Sequence, residues 1–246
     1  MSGHSKWSTI KRKKGAIDAK RGKIFTNIIR EMITATRIGG KDPSSNPRLR
    51  LAIDEAKANN MPKENIERAI KKGAGELEGD SYEELIYEGY GPAGVAILIE
   101  VLTDNKNRTV SELRYALSRH GGSLGESGCV AWMFNKKGTI GFDSVQYSED
   151  KIMEIALDNE AEDVRTEEDE IIMTTDPKDF ENIKKAFEDK GIKIKFSEVS
   201  YIPQTYIELQ GKEAEQMIKL LDALEEIEGI QNVNANFDII DKAETA

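Results

Sequence analysis

The apolar positions divide the chain into blocks. Phe25, Ile28, Ile29, Met32, Ile33 and Thr36 recur at i, i+3, i+4, i+7, i+8 and i+11, the spacing of one helix face, within residues 16–38. Gly39-Gly40 stops that helix. Pro47 stands where a helix accepts proline, at its first position, and Leu49, Ala52, Ile53 and Ala56 form a second apolar face. Pro62 opens a third helix with Ile66, Ala69 and Ile70 inward, and Gly73 closes it. This predicts a three-helix bundle domain over 1–75 that includes a polar amino-terminal arm at 1–15 without any apolar period, and is followed by a linker at 73–80.

Beyond the linker the period changes to that of strands. Residues 85–90 and 95–102 read as strands around Gly91-Pro92-Ala93-Gly94. After a polar turn at 103–107 comes a helix with Val110, Leu113 and Leu117 on one face, and Thr109 with Glu112 has the spacing of a capping box. Gly121–Gly128 reads as a flexible connection, and 129–134 as an aromatic strand. A self-contained pattern follows: strand 139–142, helix 148–157, strands 163–166 and 171–174, a helix opened by Asp176-Pro177, and strand 192–199. That β-α-β-β-α-β order is ferredoxin-like. Strand 206–209, helix 213–227 and strand 233–237 complete the chain. Neither flank of the self-contained unit closes a sheet alone. The expected fold is therefore α+β and multidomain: a helical bundle at 1–75, a discontinuous α+β domain at 76–135 plus 203–246, and an inserted α+β domain at 136–202, both of ferredoxin-like type.

Charge sharpens this division. Residues 1–75 hold 18 Lys and Arg against 7 Asp and Glu, whereas 76–246 hold 17 against 38. A basic end on an acidic body points to a polyanionic partner, most simply nucleic acid. Lys6, Lys11, Arg12, Lys13, Lys14, Lys20, Arg21 and Lys23 crowd the start, with Trp7 among them as a stacking group. At 100° per residue, Lys20, Lys23, Asn27, Arg30, Thr34 and Arg37 fall on one stripe opposite the apolar face. That stripe is expected to continue the arm as an open line of phosphate ligands, extended by Lys71 and Lys72 at the end of the third helix. A helix C-terminus also suits Lys71 and Lys72 without any ligand. The acidic body is expected to stand off the polyanion and to face protein partners or further copies of the chain.

Other chemistries find little footing. Two histidines and one cysteine supply no zinc set and no Cys/His nucleophile pair, and Cys129 among apolar neighbours reads as a small buried hydrophobe. The acidic stretch 160–170 lacks calcium-loop spacing, and Gly121–Gly128 lies in the wrong helix-to-strand order for a phosphate loop. Neither catalytic residues, metal nor cofactor is expected. A single cysteine, the absence of a long apolar run and a basic start that runs straight into a helix predict a cytoplasmic protein without a membrane partner.

Gly3-His4-Ser5-Lys6-Trp7, followed by Ile10-Lys11-Arg12-Lys13-Lys14 and residues 18–25, resembles the amino-terminal signature of the YebC/PmpR family. Met61-Pro62 with 66–73, Tyr87-Glu88-Gly89-Tyr90-Gly91-Pro92, 102–109 and 130–134 resemble its further signatures. The resemblance implies a helical domain followed by two α+β domains, the last inserted in the second. It implies a non-enzymatic DNA-binding transcriptional regulator. For some relatives, mitochondrial ones included, it implies a translation factor that acts on ribosomes stalled at proline-rich stretches.

Overall fold

The computed structural model describes residues 21–240 except 80, 160 and 168, with the backbone alone at residue 21. These residues form two compact units, one spanning Trp132–Tyr206 and the other built from the segments on either side of it.

The flanking unit begins with three helices: α1 (Arg21–Gly39), α2 (Pro47–Ala58) and α3 (Lys63–Gly73). Their apolar faces meet in one core of Ile28, Met32, Ile33, Leu49, Ala52, Ile66 and Ala69. Fully burying each large aliphatic side chain contributes about 1.5–3 kcal/mol, which is what holds helices this short in place. Asn46 ties two of them together. Its Oδ1 accepts from Leu49 N at 3.0 Å as the α2 cap, while Nδ2 donates to the carbonyls of Ala35 and Gly40, each at 2.8 Å. Gly73 lets α3 approach α1, since a Cβ there would stand 2.6 Å from the Ile33 carbonyl oxygen.

Strands β1 (Glu83–Tyr90) and β2 (Ala96–Thr103) form an antiparallel hairpin. Helix α4 (Lys106–Arg119) and the short strand β3 (Ser123–Leu124) follow. After the other unit come β8 (Ile207–Leu209), α7 (Gly211–Glu225), β9 (Ile230–Ala235) and β10 (Phe237–Ile239). The sheet order is β3-β1-β2-β9, with β8 and β10 paired in parallel beside it. Ile97, Ile99 and Val101 of β2 pack with Leu113 and Leu117 of α4 and with Met217, Leu220, Leu221 and Leu224 of α7. Asn236 is buried between β9 and β10, where its Oδ1 accepts from Ala96 N at 2.6 Å and its carbonyl accepts from Ile207 N at 2.8 Å. One residue thus turns the chain from one sheet to the other.

The unit at Trp132–Tyr206 contains β4 (Phe134–Asp143), α5 (Glu149–Leu157), β5 (Asp163–Glu167), β6 (Glu170–Thr175), α6 (Phe180–Asp189) and β7 (Phe196–Pro203). Its sheet order is β5-β6-β4-β7 with antiparallel neighbours throughout, the ferredoxin-like arrangement. Phe142 and Phe187 pack at 4.7 Å between ring centroids in its core.

Several local expectations are corrected. The aromatic strand at 129–134 does not form: Ala131–Met133 is a 3-10 turn, and Phe134 instead opens the ten-residue β4, which contains the strand expected at 139–142. The cause is Glu88. Its buried carboxylate accepts from the N–H groups of Gly128 (2.6 Å), Val130 (2.7 Å) and Ala131 (2.7 Å), so those donors are unavailable to a ladder. Its carbonyl also accepts from Gly125 N at 2.8 Å, which pins the segment read as a flexible connection. Burial alone raises the Glu88 carboxyl, but the three backbone donors outweigh it and hold it below the usual carboxylate value. Cys129 is half-buried rather than buried, and burial followed by the nearby Glu88 charge pushes its thiol up. Asn105, not Thr109, caps α4, accepting from Arg108 N at 3.1 Å. Thr109 is buried, with its hydroxyl 2.9 Å from that of Thr103. Helix α6 starts at Phe180, after a turn in which Asp176 accepts from Lys178 N at 2.9 Å.

Candidate nucleic-acid interface

The expected phosphate ligands fall into three groups. Lys6, Trp7, Lys11, Arg12, Lys13, Lys14 and Lys20 lie outside the described residues, and Arg21 is described only as the first residue of α1. Lys23 is half-buried on the first turns of that helix.

The middle of the α1 stripe is not open, and here the expectation for Arg30 is corrected. Arg30 is 5% exposed. Its Nη2 donates to Glu228 Oε1 in an ion pair, and its guanidinium lies 5.4 Å from the Tyr82 ring centroid. Asn27 Nδ2 donates to the Ile230 carbonyl at 2.7 Å, and Thr34 is buried. The polar stripe therefore docks α1 against the start of β9 instead of facing solvent. Glu228 also stands 3.4 Å from Arg108 Nη2, which is 3.0 Å from Asp104 Oδ1. The turn carrying Glu228 is fixed by Gly229, whose φ of +90° is costly for other residues and whose Cβ would stand 2.8 Å from the Leu102 carbonyl oxygen.

A second ion cluster fastens the other side of the bundle. Arg48 forks onto both Glu31 oxygens, at 2.5 and 2.9 Å, and also pairs with Glu84 of β1. The Glu31 hydrogen bond, opposed by burial and reinforced by Glu84, raises the Arg48 guanidinium above its ordinary value. Sequence spacing gave no sign of Glu228, Glu84, Arg48 or Tyr82 in these roles, because each contact joins elements distant along the chain.

The remaining cations gather at the far end of the bundle. Arg37 is exposed and donates to Ser81 Oγ at 2.9 Å. Lys71 is exposed and Lys72 half-buried in the last turn of α3, brought beside the end of α1 by the Gly73 approach. Lys41 pairs with Glu76 at 2.7 Å in the same region, and that hydrogen bond raises the Lys41 ammonium and lowers the Glu76 carboxyl. From Lys23 to Arg37 the helix rises about 21 Å. Among the described residues, the expected continuous line is thus Lys23 on the first turns of α1 and Arg37, Lys71 and Lys72 at the far end, separated by a docked middle. Among the described residues, no group of three or more His, Cys, Asp or Glu side chains is placed to hold a metal ion. No helix among them is long and apolar enough to cross a membrane.

A basic helical domain fastened by ion pairs to an α+β body, with a second α+β unit spliced into that body's sequence, is an architecture with known relatives. Residues 5–76 match the TACO1/YebC protein N-terminal domain, and residues 82–237 match the TACO1/YebC second and third domain. The chain belongs to the TACO1/YebC family. A probable transcriptional regulatory protein of Desulforapulum autotrophicum is 59% identical over 242 residues, covering 98% of each chain. One of Trichlorobacter lovleyi is 58% identical over 239 residues, covering 97% of this chain and 96% of the other. The crystal structure of a conserved hypothetical protein from Aquifex aeolicus is 47% identical, with a TM-score of 0.82 over 93% of this chain and 95% of that one.

Proposed function

We propose that this protein is a cytoplasmic, non-enzymatic transcriptional regulator that holds DNA through its basic amino-terminal domain. The observation that carries the reading is the reversal of charge, 18 cations to 7 anions in residues 1–75 and 17 to 38 in residues 76–246. The proposed contacts are Lys6, Trp7, Lys11, Arg12, Lys13, Lys14, Lys20, Arg21 and Lys23 in the first 23 residues of the chain and Arg37, Lys71 and Lys72 at the far end of the bundle. Arg30 is a fastening residue and is left out of that set. The acidic body repels the phosphate backbone, so docking is end-on, and the body faces protein partners or further copies of the chain. Binding is measured as the salt dependence of affinity for a short duplex. With about six phosphate contacts, log affinity falls against log salt with a slope of about −5. A flat response removes the reading.

One observation favours a second reading. A protein that reads bases from the major groove presents an exposed recognition helix, and the polar face of α1 is docked against β9 through Asn27 and Arg30. Contacts confined to phosphates suit folded ribosomal RNA as well as DNA, which is the ribosome-associated translation factor. Crosslinking in cells, with sequencing of the recovered DNA and RNA, separates them: promoter fragments support the regulator, and ribosomal RNA supports the translation factor.

A further inference from the structure

The acidic part of the flanking unit carries one helix face without acid. Asn107, Ser111, Arg114, Tyr115, Ser118 and Arg119 are all exposed and share the outer side of α4. Tyr115, at 63% exposure, is the most exposed aromatic of this unit among the described residues. Its ring is not loose. Arg119 Nη1 donates to the Tyr115 hydroxyl at 2.7 Å, and the guanidinium stands 5.9 Å from the ring centroid. Tyr115 and Arg119 border a groove of about 720 Å³ between α4 and the end of α7, with Ala116, Ala223 and Ile227 also lining it.

We propose that this groove is a second nucleic-acid contact, one that takes an unpaired base. It rests on the reading of the protein as a nucleic-acid binder and adds a class of target to it. An exposed tyrosine held by an arginine is a stacking platform, and stacking accepts any base. The apolar lining suits the flat face of a base, and Arg114 and Arg119 supply cations for its flanking phosphates. The carboxylates in the lining sort the ligand further. Glu228 is neutralised by Arg30 and Arg108. Glu112 and Glu226 accept hydrogen bonds from amino or imino N–H groups on a base edge but repel a phosphate. The groove therefore receives the base, and the outer face of α4 receives the backbone. A duplex, whose bases are stacked and paired, presents nothing to fill it.

The test compares the full chain with three variants, Tyr115→Ala, Tyr115→Phe and Lys11–Lys14 all replaced by alanine. Each is titrated by fluorescence anisotropy against a mixed-sequence 12-nucleotide single strand, as RNA and as DNA, and against the corresponding duplexes. Tyr115→Ala is expected to bind the single strands about tenfold more weakly and the duplexes unchanged. Tyr115→Phe keeps the ring and is expected to stay within about twofold of the parent on single strands. The RNA and DNA arms tell which polymer the groove prefers. Unchanged affinity of Tyr115→Ala for single strands, or an equal loss on duplex and single strand, overturns the proposal. The alanine arm variant tests the first reading independently. If it binds like the parent while Tyr115→Ala loses single strands, the amino-terminal reading fails and the groove stands. If the parent binds neither polymer, both fall.

Discussion

Helices α1 and α4 belong to the same unit, and each carries arginines on a polar face. Their faces have opposite fates. In α1, Asn27 and Arg30 are spent on the Ile230 carbonyl and Glu228. In α4, Arg114, Tyr115 and Arg119 stay exposed. Helical periodicity says which residues share a face, but not what that face meets. A cation opposite an apolar stripe is a ligand only if no other element of the protein arrives to neutralise it.

The comparison breaks most visibly at the arm. Replacing Lys11–Lys14 with alanine is expected to weaken duplex binding by about 100-fold at moderate salt and to flatten the salt slope by 3 to 4, with the melting temperature unchanged. Anisotropy and calorimetry read the two quantities separately.

Next in size is the docked middle. Glu228→Ala removes the exposed partner of the buried Arg30 guanidinium, a loss of about 2–3 kcal/mol and a fall in melting temperature of roughly 4–12 °C. Adding Arg30→Met to Glu228→Ala should recover most of that loss, because it removes the buried charge whose desolvation is no longer compensated. Failure of the double variant to recover would mean that Arg30 serves a purpose other than fastening.

Glu88→Gln is expected to cost about 2 kcal/mol, since one amide oxygen replaces two charged acceptors for three backbone donors. Its pH dependence has a defined sign. A carboxyl held below its ordinary value stabilises the fold fully above that value and loses the contribution as pH falls through the lower, folded one. The stability gap between parent and Glu88→Gln should therefore close on acidification below about pH 4.5 and stay constant above it. Denaturant titrations at a series of pH values measure the gap.

The smallest effect is expected at the far end of the bundle. Lys71→Ala with Lys72→Ala should weaken duplex binding by about fivefold and lower the salt slope by 1 to 2, with stability reduced by less than about 1 kcal/mol through the helix dipole.

Much of the architecture was legible in the chain. The i, i+3, i+4 recurrence at Ile29, Met32 and Ile33, the Pro47 start and the Gly39-Gly40 stop mark the bundle because each acts through local geometry. The helix read at 148–157 forms at Glu149–Leu157, with Ser148 as its cap, accepting from Lys151 N at 3.4 Å. The break at 129–133 was illegible because it depends on Glu88, 40 residues upstream of Gly128. Position 236 was read as strand because nothing local shows Asn236 joining Ala96 and Ile207. For the candidate interface, the cationic content of the first 75 residues was plain, but the pairing of Arg30 with Glu228 spans 198 positions and leaves no trace in spacing.

The most direct test of where the polyanion sits is lysine acetylation with and without a bound duplex, read by mass spectrometry. The account predicts protection of Lys6, Lys11, Lys13, Lys14, Lys20, Lys23, Lys71 and Lys72, with Lys151, Lys184 and Lys190 labelled equally in both states. Protection confined to the 136–202 segment, with the amino-terminal lysines labelled as in the free protein, would contradict it.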